Sequence, residues 1–320
     1  MEIYQLENEF VCIEFLSYGG ILTKMINKKT QQNYLLAYQN YKDYLKNPYF
    51  FGATIGRNAG RTFPAFYQDS YGDRRVLDTN EGKVHLHGGK SGLHQVEWTV
   101  EKLSDTTYHL MFQDTESPYD PMKLELIYRL EKNHFAIQMK GQADQPTVCN
   151  LTNHSYFNLG EEPTIEFHQL QTAPAKIQLI DEQFVPTEEY SEMQTLEYTP
   201  FNFTEEKVIQ KALNLDTPLS KICANGIDLA YCFINNDELE PKIRLTDRQR
   251  KNKLTIYSDQ EACIIYTLNK LSNKVTLAAG ATIEKYSGIT FEMQRKPNYV
   301  HTAVDYLETD YAAYTIYEIE

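Results

Sequence analysis

The chain has 320 residues, of which 42% are hydrophobic, and a formal net charge of −13. That size admits one large or two smaller folded units, each with a substantial core. The acidity excludes the basic footprint that nucleic acid demands and disfavours an anionic membrane surface.

The first residues, MEIYQLENEFVCIEF, lack the basic start and apolar stretch of a signal peptide. No run of about 18 apolar residues follows anywhere, so no membrane-spanning helix is expected. The five cysteines are odd in number and form no CxxC pair, which argues against a disulfide framework or a structural zinc site. Scattered thiols fit a reducing cytoplasm. With 24 Tyr and 15 Phe but few helical patterns, the composition favours strands.

Tyr41 to Leu45 reads as one short helical turn. Gly52 to Thr62, GATIGRNAGRT, breaks the strand pattern with three glycines and two arginines. Glycine permits positive φ and close backbone approach, and arginine offers a planar fork of donors for oxygen-rich ligands. His85 to His94, HLHGGKSGLH, follows. On a strand His85 and His87 would share a face, as a metal pair would, but no third ligand lies at suitable spacing. A polar loop, or an imidazole placed to donate to a ligand, are the other readings. Period-two alternation then marks half-buried strands at Thr107 to Phe112, Met122 to Leu130 and His134 to Met139.

Asn150 to Gly160, NLTNHSYFNLG, packs three asparagines and a histidine between apolar residues. Burying so many polar groups requires partners, so the segment forms a bonded turn or faces a cleft. His154 is the one member able to exchange a proton near neutral pH. Tyr156 and Phe157 suit either cleft or core. A second helical turn is expected over Glu205 to Leu213. In NGIDLAY, Asp228 follows the Asn225-Gly226 turn at the start of an apolar run. Lys253 to Tyr257 is another strand. In ITFEMQRKPN, Glu292 interrupts an apolar strand with Thr290 and Gln294 on its face. A carboxylate on a partly enclosed face has a raised pKa and becomes a usable base. No internal repeat, linker or long amphipathic helix appears. One all-β domain spanning 1–320, a sandwich or barrel, is the simplest organisation.

Taken together, these segments resemble the aldose 1-epimerase (galactose mutarotase) family. The family's TNHSYFNL stretch matches Thr152 to Leu159 without change, and its LHGG matches Leu86 to Gly89. Its GR-x-A-N-R-I, GYDH and LETQ-x-x-P stretches resemble Gly56 to Thr62, Gly226 to Leu229 and Phe291 to Pro297. The order is the family's, and SYGGILTKMIN and YKDYLKNPYFFGATIGR upstream are similar too, so the resemblance covers almost the whole chain. It implies a large antiparallel β-sandwich of the galactose mutarotase type, with a broad sugar cleft and no cofactor or metal. It also implies roles. His154 would protonate the ring oxygen as general acid, and Glu292 would take the proton of the anomeric hydroxyl as general base. Arg61, His87 and Asp228 would hold the sugar. His154 would then need a proton near neutral pH and Glu292 would need to lack one, with a carboxylate such as Asp228 helping to charge the imidazole.

The implied activity interconverts the α and β anomers of a free hexose, galactose or glucose by default, in a monomer or homodimer whose only expected partner is the sugar. Three departures bear on sugar preference: Gly60 stands where the family has Asn, Leu229 where it often has His, and Arg295-Lys296 in place of HF. Asn58 is a candidate to replace the contact missing at Gly60. Three alternatives remain. A glycoside hydrolase would use Glu292 and Asp228 as a carboxylate pair. A non-catalytic sugar-binding protein would bind without turnover. A hexose 6-phosphate enzyme would need a phosphate cluster, with Arg57, Arg61 and Lys90 as candidates.

Overall fold

The structure, a computed structural model, describes residues 1–182, 184–191, 195, 197–235 and 237–320. Its strands pair antiparallel. The largest sheet has nine strands, in spatial order Thr99–Ser104, Thr107–Asp114, Met122–Glu131, His134–Val148, Leu307–Ile319, Lys253–Ser258, Ile243–Thr246, Gln169–Thr172 and Lys207–Val208. A six-stranded sheet has the order Tyr156–Phe157, Ile289–Gln294, Ala262–Tyr266, Asp228–Phe233, Ala175–Ile180 and Pro186–Ser191. Ile3–Glu7, Val11–Leu16, Leu22–Asn27 and Gln32–Asn33 form a third sheet.

The alternation that marks these strands in the sequence also buries them. Met122, Leu124, Leu126, Tyr128 and Leu130 point inward from Met122–Glu131, and the residues between them face outward or to the margin. Each such side chain contributes about 1.5–3 kcal/mol by leaving water. Phe157 stacks on Phe291 at 5.9 Å and meets Tyr317 at 5.8 Å. The aromatic trio thereby ties the six-stranded sheet to the nine-stranded one, as in a β-sandwich. One apolar cluster runs from Leu6 to Ile319 through all three sheets.

The expected strands are present, and His134–Val148 runs well beyond Met139 because Leu307–Ile319 pairs along it. The turn at Tyr41–Leu45 is a 3₁₀ helix capped by Asn40. Over Glu205 to Leu213 only Ile209–Ala212 turns; Lys207–Val208 joins the nine-stranded sheet beside Gln169–Leu170 instead. Among the described residues two short α-helices were not anticipated. Pro218–Ile222 starts on a Thr217 side chain that accepts from the Ser220 N–H, and Tyr299–Thr302 follows Pro297. Among the described residues no helix is long and apolar enough to cross a membrane.

Candidate active site

Ile289–Gln294 is buried on both faces. Ile289, Phe291 and Met293 enter the core, while Thr290, Glu292 and Gln294 face the other way. Cross-strand register sets Tyr156, Thr290, Tyr266 and Asp228 side by side across four strands. The adjacent row on the same face is Glu292, Ile264, Ala230 and Gln178. Above these rows lies a cleft of about 320 Å³, at the lower end of the ~300–1,000 Å³ of small-ligand sites.

Two short ribbons bring the remaining groups to it. Thr152–Asn153 pairs with Thr54–Ile55, delivering His154. Arg61–Thr62 pairs with His85–Leu86, delivering Arg61 and His87. That second strand ends at Leu86, because His87 adopts φ +55°. His85 therefore does not share a face with His87, and the metal-pair reading fails. His85 is buried between the Asp78 carbonyl at 2.8 Å and the Tyr119 hydroxyl at 2.9 Å.

The His154 Nε2 lies 3.5 Å from Glu292 Oε1, and the His87 Nε2 lies 4.0 Å from Glu292 Oε2. The His87 and His154 rings stand perpendicular, 5.4 Å apart. Gly60 donates its N–H to His87 Nδ1 at 3.3 Å. Nδ1 is thus an acceptor, and the ring hydrogen of the neutral imidazole is assigned to Nε2, aimed into the cleft. Gly60 itself sits at φ +79°, and a Cβ there would lie 2.8 Å from Gln294 Nε2. Arg61 grips Glu81 with two hydrogen bonds, Nε–Oε2 at 2.6 Å and Nη2–Oε1 at 3.1 Å, and reaches Asp228 at 3.7 Å. Burial raises the Asp228 pKa, and Arg61 opposes it.

Phe50 packs against His87, His94 and His154 at ring distances of 5.2, 4.8 and 5.5 Å. In that apolar enclosure burial drives His154 down to about 3 and holds His87 well below its ordinary value. Burial, with the Asp228 charge adding, drives Glu292 up to about 8. These shifts run against the charge states expected from the sequence: burial favours neutral His154 and a protonated Glu292. Desolvation disfavours both charges, and Asp228, held by Arg61, makes no contact with His154. The carboxylate beside His154 is Glu292 itself. The pair nonetheless holds one transferable proton in either arrangement.

The ligand atoms of His87, His154 and Glu292 all lie within 4.8 Å of one another, a spacing a metal ion could bridge. The surroundings do not fit one. A metal-bound histidine donates its far N–H to an acceptor, whereas His87 Nδ1 faces the Gly60 N–H donor.

The aldose 1-epimerase family profile matches residues 2–304. The chain belongs to this family. Galactose mutarotase from Sus scrofa is 29% identical over 308 residues, covering 94% of this chain and 87% of that protein. Galactose 1-epimerase from Lactobacillus acidophilus superposes with a TM-score of 0.86 at 26% identity, over 99% of this chain and 93% of that one. An aldose epimerase homologue from C. elegans shares the fold, with a TM-score of 0.89 at 19% identity over 100% and 98% of the two chains.

All five residues singled out from the sequence, Arg61, His87, His154, Asp228 and Glu292, line the one cleft. Asn58, Arg57 and Lys90 do not join them. Asn58 is buried with its amide on Thr62 Oγ1 at 2.8 Å, so it does not stand in for the missing family asparagine. Arg57 is 1% exposed and bound to Asp114 at 3.2 Å, and Lys90 is outside the cleft, so no phosphate cluster forms from the three. Tyr156 lines the cleft and Phe157 the core. Sequence reasoning missed Phe50, Glu81, Phe184, Ile264, Tyr266 and Lys270. Phe184 carries Arg61 at 5.1 Å and Lys270 at 3.4 Å from its ring centroid.

Proposed function

We propose that this single β domain catalyses mutarotation of a free hexose, with His154 and Glu292 exchanging protons with its hemiacetal. One observation carries the reading: the imidazole and the carboxyl stand 3.5 Å apart, both buried at the wall of one cleft. That gap is too small for a pyranose to lie between them, so the two must address one edge of the sugar. The anomeric and ring oxygens are both bonded to C1, and they fit such a pair side by side.

In the opening step Glu292 takes the O1 proton, the C1–O5 bond breaks toward O5, and His154 delivers a proton there. C1 becomes an aldehyde. Rotation about C1–C2 and reclosure, with each proton returned, yields the other anomer. Each transfer contributes about 10²- to 10⁴-fold. Before the step, the proton on Glu292 must pass to His154. Sugar hydroxyls that donate to Glu292 favour its ionised form and assist this passage. Arg61 and His87 Nε2–H supply donors for sugar oxygens, and Asp228 an acceptor. The names of the mutarotase relatives point to galactose.

Polarimetry tests the proposal. Fresh α-D-galactose is expected to reach its equilibrium rotation faster with catalytic amounts of the protein. Saturable galactose binding with an unchanged rotation rate would refute it and favour a non-catalytic sugar-binding protein.

A further inference from the structure

Tyr266 has no part in the acid–base pair, yet its surroundings prepare it for a ligand. It lies on the cleft face of Ala262–Tyr266, where Cys263 and Ile265 are fully buried in the core and Tyr266 is partly exposed. Its cross-strand neighbours are Thr290, which donates to Glu292 at 3.4 Å, and Asp228. Tyr266 therefore stands between Thr290, which bonds the carboxyl that would act on C1, and the carboxylate that Arg61 reaches.

The hydroxyl is half satisfied. The Lys270 backbone N–H donates to its oxygen at 3.0 Å, which fixes where the oxygen sits. No acceptor takes the hydroxyl hydrogen among the described residues: Asp228 is engaged by Arg61, and no hydrogen bond joins it to Tyr266. A hydroxyl pinned through its lone pair, with its hydrogen open to a cleft, is a directed donor. Burial, and the nearby Asp228 charge, raise its pKa, so the donor is kept at every pH where the enzyme would work. The Lys270 side chain is itself held, since its ammonium rests on the Phe184 ring that also carries Arg61. The oxygen is thus positioned before any sugar arrives, and little ordering cost remains for binding.

We propose that Tyr266 is a specificity-determining residue whose hydroxyl donates to one hydroxyl of the bound hexose, away from the anomeric centre. This rests on the mutarotase reading. In the next row the two central residues, Ile264 and Ala230, present only carbon to the same cleft, between Glu292 at one end and Gln178 at the other.

The test crosses one substitution with a substrate series. Tyr266→Phe keeps the ring and removes only the hydroxyl, at a partly exposed position, so the fold is expected to survive with a small change in melting temperature. Mutarotation kinetics are measured for both proteins with galactose and its 2-, 3-, 4- and 6-deoxy forms. For galactose, Tyr266→Phe is expected to lower kcat/KM about tenfold, mainly through KM, as loss of one hydrogen bond implies. For one deoxy sugar, the two proteins are expected to be equal, since the partner hydroxyl is already gone. Equal kcat/KM on galactose would overturn the proposal. So would the same loss with every sugar, which would mean that Tyr266 only supports the backbone at Lys270. Absence of mutarotation in the unmodified protein would instead sink the mutarotase reading itself, and is seen before any variant is made.

Discussion

Glu292→Gln is expected to slow the reaction while making the unliganded protein more stable in alkali. Glu292 is 2% exposed, and its pKa rises from an ordinary 4.5 to about 8 because burial penalises the charged form. A group raised in this way stabilises the fold fully below its unfolded value, and that contribution is lost as pH rises through the folded value. The window here runs from about pH 4.5 to about 8. Once ionised, the buried carboxylate costs about 5 kcal/mol, of which about 4 kcal/mol develops between pH 5 and pH 9. That is a large share of the 5–15 kcal/mol typical of a folded domain. Glutamine keeps the shape and cannot ionise. Urea unfolding of both proteins from pH 5 to 9 isolates the effect, since every other titrating group is common to the two. The variant is expected to gain several kcal/mol relative to the parent as pH rises. Parallel stability curves would refute the claim that Glu292 is held protonated by its enclosure.

The same proton sets the pH dependence of turnover. The His154–Glu292 pair holds its single proton between about pH 3 and 8, so kcat/KM is expected to be flat from pH 5 to 7 and to fall about tenfold from pH 7 to 9. A profile still rising through pH 8 to 9 would contradict the shared proton. Gly60→Ala strains a φ of +79° and crowds Gln294 Nε2 at 2.8 Å. It is expected to destabilise the fold by about 1–2 kcal/mol and to raise KM by shifting the N–H that fixes His87; a variant with parental melting temperature and KM would show that this turn places no constraint on His87.

Much of this site was legible because its parts sit in compact polar stretches that strands do not tolerate. NLTNHSYFNLG and GATIGRNAGRT stand out for that reason, and Glu292 stands out as one charge in an apolar strand. What was not legible depends on contacts between remote segments. The metal-pair reading of His85 and His87 failed because one residue at φ +55° ended the strand, and alternation does not reveal that. The burial that favours neutral His154 was hidden because one ring packed on it is Phe50, about a hundred residues away in sequence. Tyr266 hides in ACIIY, an ordinary strand; only its register against Asp228 and Thr290 gives it a place in the cleft. Glu81 and Phe184 were invisible for the same reason, since only the folded chain brings them to Arg61.

The most direct measurement is the optical-rotation decay of fresh α-D-galactose with the parent, His154→Asn and Glu292→Gln proteins at equal sugar occupancy. Each variant is expected to lose about 10²- to 10⁴-fold in kcat while still binding galactose. A variant that turns over galactose at the parental rate would remove its residue from the chemistry, and with it the claim that the two groups pass protons to and from one hemiacetal.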